Sequence, residues 1–192
     1  MFMDNSAHLF RGMILAVAMG VLLLPGPNTY AQNYQLSGQT IIPSDGKLSS
    51  LSIEDRQAIL DLISQYSFSF DSKDLASFLR LFTPDCVWEE YVDNGTVLKA
   101  HIVGRKELAV KIKGMILGLT EKGIQTRHYQ TNTLLTPISK NEVHATTMLN
   151  LMFQYPDSDH PISVDSGVYH DTIVKTHGVW KFGKRTLLVD HK

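Results

Sequence analysis

Beyond residue 124 the sequence passes through four strand-length segments, roughly 124–136, 142–154, 163–176 and 179–189, with no helical period among them. His177-Gly178 reads as the turn between the last two. Long strands in direct succession, without crossover helices, form an antiparallel sheet. One face of that sheet must be covered, and the cover has to come from the residues before it.

Those residues carry helical periods. Ser52-Ile53-Glu54-Asp55 is a capping-box pattern, and Ile59, Leu62, Ile63, Tyr66 and Phe70 follow it on one helical face. This first helix is expected to end near Asp71-Ser72. A second carries Leu75, Phe78, Leu79 and Phe82 and is expected to stop at Thr83-Pro84. Cys86 to Tyr91 reads as a strand, Asp93-Asn94-Gly95 as a turn, and Val97 to Val103 as the hairpin partner. After Gly104 a third helix shows Leu108, Ala109, Ile112, Met115, Ile116 and Leu119, closed by Gly123. The order α-α-β-β-α-β-β-β-β is an α+β fold, a cone-shaped curved antiparallel or mixed sheet wrapped over three helices. Its pocket is expected between the sheet and the first helix.

The N-terminus is a separate object. Arg11 precedes the apolar run Met13 to Leu24, Pro25-Gly26-Pro27 breaks it, and Thr29-Tyr30-Ala31 offers small residues for cleavage. Residues 1–31 thus read as a signal peptide cleaved near Ala31, the alternative being an uncleaved N-terminal anchor. The run is shorter than the about 20 apolar residues of a membrane span. Residues 32–50, rich in Ser, Gly, Gln and Pro, read as a flexible linker, and 51–192 as the cone domain. A periplasmic or secreted protein is the expectation, with no stable span after signal removal.

A chain that is 43% hydrophobic and 19% charged is not disordered. With 18 basic against 19 acidic side chains, it lacks the basic excess of a nucleic-acid binder. The single Cys86 forms no internal disulfide and suits buried packing. The eight histidines are scattered, without metal-ligand spacing, and the phosphate- and dinucleotide-binding glycine motifs are missing. Neither a metal nor a cofactor is expected.

Two residues carry candidate chemistry. Asp71 lies at the border of the first helix's apolar face, where its carboxylate either enters the cone mouth or caps the helix junction. Strand alternation places His128, Gln130 and Asn132 on one face, either a polar pocket lining or a wet surface. Asp171 and Arg185 read as a structural pair between neighbouring strands, and Trp180 as core.

Several motifs in order carry a resemblance: Phe70-Asp71-Ser72-Lys73-Asp74, Leu81-Phe82-Thr83-Pro84-Asp85, Gly104-Arg105-Lys106-Glu107-Leu108, Thr126-Arg127-His128-Tyr129, and Gly167-Val168-Tyr169-His170-Asp171 with Gly178-Val179-Trp180-Lys181-Phe182. From about Ile53 to Val189 the chain resembles the SnoaL-like group of the nuclear transport factor 2-like superfamily, on its scytalone dehydratase-like branch. The resemblance implies an aspartate and a histidine as acid–base pair, at positions matched by Asp71 and His128. It implies substrate contacts from Tyr66, Phe70, Tyr91, Gln130 and Asn132, and from Leu149, Leu151, Phe153 and Tyr169. A second catalytic histidine of the dehydratase falls near Phe153 here, so scytalone itself is not the expected substrate. The function implied is cofactor-independent dehydration or isomerisation of a small hydrophobic molecule. The alternative is a non-catalytic ligand-binding or dimerisation module of the same fold. A homodimer through the open sheet face also fits the resemblance.

Overall fold

The computed structural model describes residues 51–93 and 95–190; the proposed signal peptide and linker lie outside the described residues. Helix α1 spans Ile53–Asp71, α2 Leu75–Arg80 and α3 Arg105–Glu121. The strands are β1 Phe82–Val92, β2 Val97–Val103, β3 Gln125–Ser139, β4 Glu142–Gln154, β5 Ile162–Thr176 and β6 Val179–Val189. They form one curved, unclosed sheet in the order β2-β1-β6-β5-β4-β3. Every pairing is antiparallel except β1 with β6, which is parallel.

Local chemistry sets the ends of α1. The Ser52 hydroxyl accepts the Asp55 N–H at 3.0 Å, satisfying one open donor of the first turn. Asp55 then accepts from Trp180 Nε1 at 2.8 Å and Lys175 Nζ at 2.6 Å, so the start of α1 is tied to the β5–β6 hairpin. At the other end Lys73 takes a left-handed φ of 62° and turns the chain into α2. Ile59, Leu62, Ile63, Tyr66 and Phe70 are all buried, as their spacing requires.

The second helix is shorter than its period suggests. It ends at Arg80, and Phe82 already belongs to β1, paired with Phe182 of β6. The Phe182 N–H donates to the Leu81 carbonyl at 2.9 Å, so sheet pairing captures residues that could have extended the helix. Phe82 packs 5.2 Å from Phe182 and 5.3 Å from Phe78, joining sheet and helices through aromatic rings. Cys86 is buried in the same core, and burial pushes its thiol up to about 11, so it is inert. Trp180 is buried as expected.

Candidate functional site

α1 points its last residue at β3. Gln125 Nε2 donates to the Asp71 carbonyl at 2.8 Å, fixing the helix end against the strand. β3 is an edge strand, so backbone groups on its free side remain available. The Asp71 carboxylate takes one of them: the His128 N–H donates to Oδ2 at 2.9 Å. Thr126, two residues earlier on the same face, donates its hydroxyl to Oδ1 at 2.7 Å. The His128 ring contacts that same oxygen through Nδ1, also at 2.7 Å.

Three bonds thus converge on one carboxylate. Burial alone would raise the Asp71 pKa, but the bonds and charge of His128, with Thr126, outweigh it and hold it below the ordinary value. With Nδ1 turned to Asp71, Nε2 is left as the ring's other nitrogen, free to face a substrate. Nε2 has no hydrogen-bond partner among the described residues. The ring meets Phe70 at 5.0 Å and Tyr66 at 6.1 Å, both edge-to-face, and only 7% of the side chain is exposed.

Strand pairing sets the rest of the inner face. His128 stands opposite Leu151, Gln130 opposite Leu149, and Thr126 opposite Phe153. Leu149 is buried, whereas Leu151 and Phe153 are half-buried. Gln130 faces inward with its whole amide engaged: Nε2 donates to the Ile63 carbonyl at 3.0 Å and Ser67 Oγ at 2.6 Å, and Oε1 accepts from Arg185.

Two expected contacts lie elsewhere. Asn132 is exposed, because a bulge between Thr131 and Leu134 puts it in a left-handed conformation, φ 54°, and breaks the alternation. Its amide meets Met148 Sδ at 3.3 Å, and Thr133 takes the inward place, 3.0 Å from Thr147. Tyr91 adjoins Val92, which packs on the core, so Tyr91 points to the opposite face beside Leu188.

The space beyond the dyad is not an empty apolar pocket. Arg185, wholly buried, puts its guanidinium carbon 3.9 Å from the Tyr66 ring centre and 3.7 Å from that of Tyr169. Its Nε lies 3.3 Å from Asp171 Oδ1, and the two residues are direct partners across β5 and β6. The contact is an ion pair without hydrogen-bond alignment: Nε, Nη1 and both Asp171 oxygens lack hydrogen-bond partners among the described residues. Burial pushes the Asp171 carboxyl up to about 7 against the pull of Arg185. Burial first, then neighbouring Tyr66, drives the Tyr169 phenol well above its usual range. Tyr169 is therefore a neutral packing partner of Arg185 at the centre of the fold. Thr126 was legible as a site residue by strand alternation, two positions from His128.

Among the described residues no group of three or more His, Cys, Asp or Glu is placed to hold a metal ion. No described helix is long and apolar enough to cross a membrane.

Comparison with known proteins agrees with this architecture. A scytalone dehydratase-like protein of Novosphingobium aromaticivorans is 24% identical, covering 71% of this chain and 84% of its own, with a TM-score of 0.58. ActVI-ORFA of Streptomyces coelicolor is 20% identical over 71% of this chain and 98% of its own, with a TM-score of 0.62. A cystatin-like-fold protein of unknown function from Nostoc punctiforme is 21% identical over 73% of this chain and 95% of its own, with a TM-score of 0.58. At these identities the likeness is one of fold. No curated protein matches the sequence. The SnoaL-like domain matches residues 51–186, the stretch that builds the helices, the sheet and the Asp71–His128 contact, and the chain belongs to that family.

Proposed function

We propose that the domain is an acid–base enzyme of the dehydratase or isomerase type, acting on a small, largely hydrophobic molecule by proton transfer alone. The observation that carries this reading is the 2.7 Å contact between Asp71 Oδ1 and His128 Nδ1, which leaves Nε2 unbonded among the described residues. Nε2 takes a proton from a carbon made acidic by a neighbouring carbonyl, and Asp71 stabilises the imidazolium that results. The electron pair then expels a β-hydroxyl, which leaves as water with the proton that Nε2 took, giving dehydration, or the proton returns at another carbon, giving isomerisation. Phe70, Leu151 and Phe153 supply apolar contact for the substrate at the mouth, with the depth occupied by Arg185 and Tyr169. Membership of a family that includes dehydratases supports the reaction type. An exported protein, with its leader in residues 1–31, is part of the proposal, as is a homodimer formed through the outer sheet face.

The test is a screen of β-hydroxy ketones and β,γ-unsaturated ketones with the purified chain. Turnover that falls by about 100-fold or more in Asp71→Asn and His128→Ala supports the proposal. Turnover untouched by both substitutions overturns it. The rival reading is a binding module of the same fold without catalysis. Saturable binding of such ketones that survives Asp71→Asn, without turnover in the parent protein, would establish that alternative.

A further inference from the structure

At the end of the domain opposite the dyad, where α1 begins, a groove of about 380 Å³ lies between β1, α3 and the β5–β6 hairpin. Pro84, Arg105, Thr176, His177, Val179 and Lys181 line it. Three of the six carry basic groups and none is acidic. Arg105 and Lys181 are both half-buried, yet neither forms an ion pair with a carboxylate among the described residues. The one hydrogen bond of the Arg105 guanidinium among them is a long one, 3.5 Å, to the Phe82 carbonyl.

Of the nearby acids, Asp85, next to Pro84, is exposed and outside the lining. Asp55 is held by Lys175 and Trp180, and Glu107 accepts the Val103 N–H at 3.3 Å. Arg105 is also the first residue of α3, whose preceding residue, Gly104, has no side chain to cap the open N–H groups. Half-buried cations without counter-charges are unfavourable, and an oxyanion in the groove relieves both at once. Pro84 and Val179 offer apolar surface between them. His177 is fixed at the rim by the left-handed turn it forms with Gly178, φ 51° and 80°.

We propose that this groove binds a small organic oxyanion, a phosphate- or carboxylate-bearing molecule. Its charged group meets Arg105 and Lys181, and its apolar body rests on Pro84 and Val179. The site is separate from the dyad, and its test needs no enzymatic substrate.

The test is an NMR titration of the full chain with inorganic phosphate, phenyl phosphate and benzoate in parallel. Saturable shifts of Arg105, His177 and Lys181 resonances are expected, and tighter binding of phenyl phosphate than of inorganic phosphate. Stronger binding of phenyl phosphate or of benzoate identifies which head group the site prefers. Arg105→Gln and Lys181→Gln should each weaken binding about tenfold, whereas Lys113→Gln, an exposed lysine elsewhere on α3, should leave it unchanged. If one groove variant fails to fold, the other still gives the comparison. No saturable shift below about 10 mM ligand, or equal weakening by Lys113→Gln, would overturn the proposal.

Discussion

The guanidinium of Arg185, on β6, lies between the rings of Tyr66, on α1, and Tyr169, on β5, and so locks the first helix to the sheet through a buried charge. Its only anionic neighbour in an ion pair among the described residues is Asp171, at 3.3 Å. Removing one member of such a pair strands the other. Arg185→Met is expected to cost about 3–5 kcal/mol, measured by urea unfolding. The double variant Arg185→Met with Asp171→Val should recover much of that loss, because no buried charge is then left alone. A single variant as stable as the parent would contradict this account.

Asp171 gives the domain a distinctive pH response. Its carboxyl is raised to about 7 in the folded state against an ordinary value of 3.8, so the folded protein binds the extra proton between those limits. Stability from this group is therefore full below about 4 and declines as pH rises towards 7. Asp171→Asn should flatten that part of the curve. Thermal unfolding of both proteins from pH 4 to 8 provides the comparison, and parallel curves would count against a raised carboxyl.

Thr126 acts on the dyad by holding Asp71. Thr126→Val removes the 2.7 Å bond to Oδ1 and is expected to cost about 1–2 kcal/mol near neutral pH, with Thr126→Ser restoring most of it. The folded pKa of Asp71 is depressed, so the stability it contributes is present above the unfolded value near 3.8 and is lost as pH falls through the folded one. The Val penalty should accordingly shrink in acid. A penalty constant from pH 7 to about pH 2 would mean that Thr126 matters for packing alone.

Much of this was legible in the sequence, and the exceptions have physical causes. The Ser52 cap and the face from Ile59 to Phe70 are local patterns, and helices formed where those patterns lay. Alternation along β3 placed His128 and Gln130 together, because a strand keeps its period while its ladder is regular, but Thr126 on the same face was passed over. It failed at Asn132, where an unmarked bulge resets the parity. Phe82 was read as helical because its spacing from Leu75, Phe78 and Leu79 fits a helix; its pairing with Phe182 is a distant contact that spacing does not encode. Arg185 and Asp171 were readable as cross-strand partners, but that they would fill the interior depended on the curvature of the whole sheet.

Gly167 marks a point where two backbones nearly touch. A Cβ built there would stand 2.2 Å from the Leu188 carbonyl oxygen and 3.1 Å from Val189 Cα. Neither is the movable end of a side chain, so Gly167→Ala must push β5 and β6 apart. A loss of about 2–4 kcal/mol is expected, with faster amide exchange along both strands. Exchange rates unchanged in the variant would show that the strands part there without cost.

The position of β6 bears on how the chain acquires its structure. The last strand of the described residues, β6, lies inside the sheet, between β1 and β5, and it brings Arg185 with it. Its parallel partner β1 lies roughly a hundred residues earlier, so their pairing closes a long loop, a slow step in folding. Until that strand leaves the ribosome, the β1–β2 hairpin has no edge to join, and the ring of Tyr66 has no cation to stack on. A chain stopped just before Val179 would hold both halves of the architecture and lack the one segment that unites them.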